Sequence, residues 1–223
     1  MIKALIFDVD GTLAETEETH RQAFNDTFEA SGMDWFWDVP TYAQLLKTTG
    51  GKERMDIFQK THHADKPQLG REQIKTLHTQ KTERYVGLLA AGSLPLRKGV
   101  ADLISRASNA GLRLAIATTT SRPNVDALTA CCWGKTPEEI FEVIATGEQV
   151  KAKKPAPDLF ELALKGLGLP AGSCLAFEDS QNGVLSATAA GLRTIVTPGL
   201  YTSGDDFSGA ERVIPSLKGF NWG

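Results

Sequence analysis

The sequence is poor in cysteine, and its few cysteines are not arranged for metal binding or for disulfides. The 223 residues include only Cys131, Cys132 and Cys174, with no CxxC pair and no cysteine-histidine cluster. The first two are adjacent, which places them poorly for a bridge. We therefore expect reduced thiols in a cytoplasmic protein, which excludes a zinc ribbon and a disulfide-stapled domain.

Long apolar runs and a strong net charge are also missing. Runs such as Ala4-Leu5-Ile6-Phe7 fall far short of the ~20 residues that a bilayer span needs, and Lys3 leaves no room for a secretion signal before them. The net charge is −3, and the only dense basic stretch, Lys151 to Lys154, is too short to follow a nucleic-acid backbone. We expect no membrane and no nucleic-acid partner, but a small diffusible substrate and a monomer.

Short apolar runs alternate with helical segments from about residue 95 onward. This pattern is typical of an α/β fold with a doubly wound, Rossmann-like parallel sheet covered by helices on both faces. We predict six strands, at Ala4–Asp8, Leu112–Thr118, Val143–Ala145, Cys174–Phe177, Thr194–Val196 and Arg212–Ile214.

Residues 15–92 carry helical periodicity and no strand pattern. We therefore predict an all-helical cap domain over residues 15–92, inserted into a catalytic core of residues 1–14 and 93–223. The two connections, near Ala14 and near residues 91–93, should run side by side as a hinge. The aromatic run Trp35-Phe36-Trp37 is expected in the core of the cap or in a lid contact.

Two acidic pairs follow predicted strands. Asp8 and Asp10 stand in a DxDG sequence directly after the first strand, and Glu178-Asp179 follow the strand that begins at Cys174. Each pair alone has an ordinary explanation, a turn for the first and a helix N-terminus for the second. Together they should meet at the carboxyl edge of the sheet, where oxygen ligands suit Mg²⁺. We therefore predict a magnesium site formed by Asp8, Asp10, Glu178 and Asp179.

Two further signals point to phosphate. Thr118-Thr119-Thr120 ends another strand, where a hydroxyl and backbone N–H groups can hold phosphate oxygens. Pro155 keeps Lys154 out of the helix that follows, so its ammonium could face a phosphate. A threonine run is ordinary at a strand end and a lone lysine is usually solvated, so neither signal decides alone.

In this order and spacing, the segments DVDGTLAET, ATTTS, KKPAPD and FEDSQNG resemble the haloacid dehalogenase superfamily of phosphotransferases across the whole chain. The resemblance implies that Asp8 is the nucleophile that becomes phosphoaspartate, and that Asp10 protonates the leaving oxygen and then activates water. It also implies that Mg²⁺ binds the Asp8 carboxylate, the Asp10 backbone carbonyl and Asp179, with Glu178 close by. Thr118 and Lys154 would neutralise charge on the transferring oxygens.

The helical insertion should determine substrate specificity, because the core motifs contact mainly the phosphoryl group. Glu17 and His20 lie three residues apart and share a helix face near the hinge, although His20 could equally be a surface residue. The remaining candidates are polar or flexible residues of the same insertion, together with one threonine of the core. The lysine on the long helix is among them, although a lysine at such a position is usually solvated. The predicted substrate contacts are Glu17, His20, Tyr42, Gly51, Lys52, Arg54, Lys81 and Thr119.

These segments, with WFWD, TTGGKER and KTERYV, are similar to the subgroup of β-phosphoglucomutase and the CbbY-type sugar phosphatases; Lys98 departs from that pattern, where we would expect proline. The resemblance implies dephosphorylation of xylulose 1,5-bisphosphate, an inhibitor of carbon-fixing Rubisco. A β-phosphoglucomutase-like mutase, or a phosphatase for another sugar phosphate, would use the same core residues. A phosphoreceiver would not need the helical insertion, and a dehalogenase would not need Asp10 or a metal.

Overall fold

All six predicted strands are present, in one fully parallel sheet. The structure, a computed structural model, describes residues 1–223. The strands are β1 (Ala4–Phe7), β2 (Arg113–Ala117), β3 (Val143–Ala145), β4 (Cys174–Glu178), β5 (Arg193–Val196) and β6 (Arg212–Val213). Their spatial order is β3-β2-β1-β4-β5-β6, and every neighbouring pair is parallel. The predicted bounds differ from the observed ones by one residue at several strand ends.

The central strands are buried on both faces, as a doubly wound sheet requires. In β1, Leu5 and Phe7 face a cluster of 22 buried residues, whereas Ala4 and Ile6 face a second cluster of 13 on the opposite side. Helices cover both faces: α5 (Val100–Asn109), α6 (Arg122–Trp133), α7 (Asp158–Leu167) and α8 (Gln181–Ala189). The predicted α/β class is therefore confirmed.

Strand order reverses at β1, whose neighbours β2 and β4 follow it much later in the chain. The carboxyl ends of the strands around such a reversal form a crevice that binds ligands in open α/β sheets. Asp8 and Asp179, each the first residue after a strand, lie at this crevice.

Four helices and no strand lie between β1 and α5. They are α1 (Glu17–Ala30), α2 (Val39–Leu45), α3 (Gly51–His62) and α4 (Arg71–Ala91). Asp38 caps α2 by accepting a hydrogen bond from the Thr41 backbone N–H at 2.8 Å. The connections into and out of this helical segment are paired, since Ala14 bridges Leu96 and the Arg97 N–H donates to the Leu13 carbonyl at 2.8 Å. The division of the chain into two domains at residues 14 and 93 stays a prediction.

The helical segment has its own aromatic core of ten buried residues. Trp35 and Trp37 lie in it, but Phe36 between them is 66% exposed. The long helix α4 contributes to two cores: Ile74 and Leu77 pack in the aromatic one, and residues of its C-terminal half pack in the larger sheet cluster. No helix combines the length and apolarity that crossing a bilayer requires.

Candidate active site

A polar cavity of about 590 Å³ lies between the carboxyl edge of the sheet and the helical segment. Only four of its 32 lining residues are hydrophobic, so it suits a hydrophilic ligand. Six basic residues, which can pair with an anionic ligand, line it from both sides: Lys47, Lys52, Arg54, Lys81, Lys153 and Lys154.

Lys154 joins the two acidic pairs at the base of the cavity. Its ammonium donates hydrogen bonds to Asp8 Oδ1 and to Glu178 Oε1, each at 2.6 Å. All three residues are buried, with Lys154 only 4% exposed. A buried ammonium held this way keeps its proton, because Asp8 and Glu178 raise its pKa against the opposing effect of burial. Lys154 therefore presents a fixed positive charge beside Asp8.

Three carboxylates at this edge fit a divalent cation. Oxygen atoms of Asp8, Glu178 and Asp179 lie within 4.8 Å of one another, and all three residues are buried. The carboxylates together would carry three negative charges, and Lys154 supplies one positive charge. The remaining charge of two is what a divalent ion neutralises, and oxygen donors are the ligands that Mg²⁺ prefers.

The pKa shifts of these acids have the same origin. Burial raises the pKa of Asp179 well above its usual value, and the charges of Asp8 and Glu178 raise it further. The pKa of Asp8 is also raised by burial, against the lowering effect of Lys154. A further positive charge among these carboxyls would lower their pKa values and favour their ionised forms.

Gly11 permits this crowding. It has φ of +76°, a conformation that L side chains rarely adopt, and a Cβ built on it would lie 2.2 Å from Asp179 Oδ2. Glycine at this position therefore allows both the turn after Asp10 and the close approach of Asp179.

Asp10 is not one of the three clustered carboxylates. Its Oδ1 accepts hydrogen bonds from Thr16 Oγ1 at 2.5 Å and from His20 Nε2 at 3.1 Å. The other ring nitrogen of His20, Nδ1, accepts from Lys81 Nζ at 2.7 Å, and the His20 ring stacks on Tyr85 at 3.9 Å. His20 is 4% exposed, so the alternative of a surface histidine is excluded.

These contacts shift the pKa values of Asp10, His20 and Lys81. Burial raises the pKa of Asp10, but the charge and hydrogen bond of His20, with Thr16 and Lys81, outweigh it and lower the pKa to about 2. Burial and Lys81 lower the pKa of His20. Burial lowers the pKa of Lys81 to about 7, although Asp10 and Glu17 act in the opposite direction. Asp10 is therefore ionised in the fold, with His20 as one of its hydrogen-bond donors.

Glu17 is oriented by an aromatic neighbour. Tyr42 donates its hydroxyl proton to Glu17 Oε2 at 2.6 Å, and the Arg54 guanidinium lies 5.8 Å from the centre of the Tyr42 ring. Tyr42 is fully buried and does not line the cavity, so its contact with any ligand would pass through Glu17.

The start of α3 contacts residues that follow the strands of the sheet. Gly50, at φ of +102°, precedes the helix, and Glu53 accepts a hydrogen bond from Lys153 Nζ at 2.7 Å. Asn182, in the first turn of α8, donates to the Lys47 carbonyl and to Thr49 Oγ1, both at 3.1 Å. The first turn of α3, which carries Gly51 and Lys52, therefore forms one wall of the cavity.

Most of the residues singled out from the sequence line this one cavity: Asp8, Asp10, Glu17, His20, Gly51, Lys52, Arg54, Lys81, Thr119, Lys154 and Asp179. Three do not. Glu178 and Tyr42 lie behind the lining, and the Thr118 hydroxyl accepts a hydrogen bond from the Thr120 N–H at 3.2 Å within its own turn.

Sequence reasoning missed several lining residues, including His78, Lys153 and Tyr201. His78 Nε2 would lie 2.7 Å from a Cβ on Gly51, and burial with Lys81, Lys52 and Lys153 lowers its pKa to about 3. His78 reaches the cavity only because α4 docks against the sheet, whereas Lys153 and Tyr201 lie on the sheet side, in the KKPAPD segment and after β5.

Comparison with known proteins agrees with this geometry. A family model described as haloacid dehalogenase-like hydrolase matches residues 2–191. The chain belongs to the haloacid dehalogenase-like hydrolase family. Within that family it is 58% identical over 219 residues to protein CbbY of Rhodobacter capsulatus, covering 97% of this chain and 94% of that protein.

Solved structures of the family superpose closely. A crystal structure of a CbbY variant from Rhodobacter sphaeroides in complex with xylulose-(1,5)bisphosphate matches with a TM-score of 0.93 and 53% identity, covering 98% of this chain and 96% of that one. β-Phosphoglucomutase from Clostridium difficile matches with a TM-score of 0.82 at 20% identity, covering 100% and 94%, which supports the fold alone. The predicted resemblance to the superfamily and its CbbY-type subgroup is confirmed.

Proposed function

We propose that this chain is a magnesium-dependent sugar-bisphosphate phosphatase and that xylulose 1,5-bisphosphate is its substrate. The observation that carries the proposal is the position of Asp8. Its buried carboxylate lies 2.6 Å from the Lys154 ammonium at the base of a cavity lined by further cations. This is where a nucleophile for a phosphoryl group is expected.

Asp8 would attack the phosphorus and form an aspartyl phosphate, while the bond from phosphorus to the sugar oxygen breaks and that oxygen takes a proton from Asp10. Lys154 is placed to offset the charge on the transferring oxygens without any movement of its own, because Asp8 and Glu178 already hold it. Glu178 touches no ligand in this scheme; it orients Lys154 from behind. The phosphoaspartate is then cleaved by water, which regenerates Asp8 and releases inorganic phosphate.

Asp10 would act as the proton carrier. Ionised beside His20, with its pKa lowered to about 2 against the effect of burial, it is in the form that accepts a proton from water in the second step. The first step needs the protonated form for the leaving oxygen. A phosphate dianion beside Asp10 favours that form, since a like charge raises the pKa of a carboxyl group.

Mg²⁺ is part of the proposal. The Asp8 and Asp179 carboxylates and the Asp10 backbone carbonyl would hold it, with Glu178 behind them. When bound, Mg²⁺ neutralises charge on the phosphoryl oxygens. Removal of Mg²⁺ by a chelator should abolish phosphate release.

The sugar and the second phosphate would be bound on the α3 and α4 side. Lys52, Arg54 and Lys81 line that part of the cavity, and a bisphosphate has a second dianion that can use them. The CbbY structure that contains xylulose-(1,5)bisphosphate has the same fold at 53% identity, which supports this assignment. A monomeric state and a cytoplasmic location stay predictions.

The test is a phosphate-release screen over sugar mono- and bisphosphates, including both ketopentose 1,5-bisphosphate epimers. We expect the highest kcat/KM for xylulose 1,5-bisphosphate, and no release by Asp8→Asn. Lys52→Ala should raise KM for the bisphosphate more than for xylulose 1-phosphate. Lys60→Ala is the matched control, because Lys60 lies on the same helix with its side chain 62% exposed.

Two results would contradict the proposal. Full turnover by Asp8→Asn would exclude the nucleophile, and a preference for monophosphates over every bisphosphate would exclude the substrate class. Conversion of a hexose 1-phosphate to the 6-phosphate without phosphate release would assign the chain to the mutases instead.

A further inference from the structure

The segment Gly199–Thr202, which follows β5, contacts both the acidic cluster and the helical segment. Sequence reasoning gave it no role. Thr202 Oγ1 lies 2.7 Å from the Asp179 carbonyl oxygen and 3.0 Å from Asp179 Oδ2, so it can donate its proton to either. The same oxygen accepts a hydrogen bond from the Gly199 N–H at 2.8 Å. The Thr202 hydroxyl is therefore held in place by its own turn.

The Asp179 carboxylate is held by weaker side-chain contacts than the Asp8 carboxylate. Asp8 and Glu178 share the Lys154 ammonium, but Asp179 forms no ion pair, and Thr202 supplies the only side-chain hydrogen bond to its carboxylate. Asp179 is also buried, at 5% exposure. Without the hydroxyl, only the backbone and packing would orient this carboxylate towards Asp8.

The Gly199–Thr202 segment packs closely against Asp179, with no room for a side chain at Gly199. A Cβ built on Gly199 would lie 2.7 Å from Asp179 Oδ2 and 3.1 Å from Thr202 Oγ1. The backbone before it is held by Arg97, whose guanidinium donates to the carbonyls of Thr197 at 2.7 Å and Pro198 at 2.6 Å. The backbone that leads from β5 to Thr202 is therefore fixed by hydrogen bonds from Arg97.

The neighbouring residue reaches the helical segment. Tyr201 donates its hydroxyl proton to Glu18 Oε2 at 2.5 Å, and its ring meets the ring of Tyr42 edge to face at 5.6 Å. Tyr42 in turn orients Glu17, and the Leu200 N–H donates to Glu15 Oε2 at 3.2 Å. One short segment therefore connects the start of α1, where Glu17 lines the cavity, with Asp179.

We propose that Thr202 is a positioning residue that holds Asp179 for the metal ion, and that the contacts of Tyr201 with α1 keep Thr202 in that position. The inference rests on the proposed function only in that a divalent ion is bound at this site. Partners that orient a metal-binding carboxylate in this way commonly change metal affinity by about 10- to 100-fold when they are removed.

The first experiment measures Mg²⁺ binding to the substrate-free protein by titration calorimetry. Thr202→Val keeps the shape and removes the hydroxyl, so we expect its Kd for Mg²⁺ to rise by about 10- to 100-fold. Thr202→Ser retains the hydroxyl and should bind within about 3-fold of the wild type. Ser203→Ala is the matched control, because Ser203 is the exposed next residue and makes no contact with Asp179.

A purely structural role would give a different pattern. If Thr202 only stabilised the fold, Thr202→Val would lower the unfolding midpoint without Mg²⁺ and leave Kd unchanged, which would overturn the proposal. We expect the reverse: an unchanged midpoint, a higher Kd, and a kcat that recovers at saturating Mg²⁺. Equal weakening in Thr202→Ser would also contradict it.

The second experiment tests the connection to α1. Tyr201→Phe keeps the ring and loses the hydrogen bond to Glu18, so Kd for Mg²⁺ should rise by about 2- to 10-fold. In the double variant with Thr202→Val this effect should vanish, because the tyrosine acts through the threonine. Additive effects would overturn the connection.

The two proposals fail separately. A chain that binds Mg²⁺ with the predicted pattern but hydrolyses no sugar bisphosphate would leave this inference standing and remove the proposed substrate. A wild-type chain that binds no divalent ion would overturn both.

Discussion

Replacement of Lys81 by methionine should stabilise the fold while impairing function. The Lys81 ammonium is buried at 4% exposure, 2.7 Å from His20 Nδ1 and 4.6 Å from the centre of the Phe24 ring. Methionine has a similar length and can fill the same space between the Phe24 and Tyr85 rings. The substitution therefore removes a buried charge without opening a cavity.

The magnitude follows from the pKa. Burial, the largest cause, lowers the pKa of Lys81 from 10.5 to about 7, and each pH unit of difference is worth about 1.4 kcal/mol. Below pH 7 the ammonium therefore destabilises the wild type by on the order of 5 kcal/mol. The lost hydrogen bond to His20 costs the variant about 1 kcal/mol. We expect Lys81→Met to be more stable by a few kcal/mol at pH 6.

The pH dependence has a definite sign. Between pH 7 and about 10.5 the unfolded chain binds a proton at Lys81 that the folded chain has lost, so wild-type stability rises with pH relative to the variant by about 1.4 kcal/mol per unit. The advantage of the variant should therefore shrink from pH 7 upward.

Urea unfolding of wild type and Lys81→Met at pH 6, 8 and 9.5 measures this difference. Lys75→Met is the control, because Lys75 lies on the same helix with its side chain 68% exposed. A stability difference that does not change with pH, or a variant less stable than wild type at pH 6, would refute the reasoning. The same variant should show a raised KM for the bisphosphate.

Three further predictions concern the acidic cluster and the helical segment. Gly11→Ala should weaken Mg²⁺ binding in calorimetry and lower the free energy of unfolding by about 1–3 kcal/mol, because its Cβ would lie 2.2 Å from Asp179 Oδ2 at a φ of +76°; wild-type affinity would contradict the packing argument. Lys154→Met should lower the free energy of unfolding by about 3–5 kcal/mol in urea, since it leaves Asp8 and Glu178 without their shared cation; unchanged stability would show that these acids are protonated in the fold. Trp37→Ala should cost about 3–5 kcal/mol in thermal unfolding, because Trp37 is fully buried in the aromatic core, and a loss below 1 kcal/mol would mean that this core contributes little.

The sheet and its acidic edge could be predicted because both depend on local sequence. Each central strand is an apolar run bounded by turn residues, and the side chains that follow Phe7 and Phe177 had to emerge at one edge once the strands were parallel. The position of Lys154 outside α7 was expected, since Pro155 keeps the lysine out of that helix, but its hydrogen bond to Asp8 was not.

The features that the sequence did not predict depend on contacts between distant segments. Nothing near Thr202 in the sequence indicates that its hydroxyl meets Asp179, and nothing near Lys153 indicates an ion pair with Glu53. The hydrogen bonds of the Asp10 carboxylate with Thr16 and His20 depend on how α1 docks. Phe36 was expected beside Trp35 and Trp37, but it is exposed to solvent.

The central claim is that Asp8 carries the phosphoryl group. Rapid acid quenching during turnover of xylulose 1,5-bisphosphate, followed by borohydride reduction and peptide mass spectrometry, tests it directly, because an acyl phosphate is reduced to the alcohol and a free carboxylate is not. The account predicts homoserine at position 8 in the quenched sample and aspartate there when substrate is omitted. Aspartate at position 8 throughout, with reduction at another carboxylate in the presence of substrate, would contradict it.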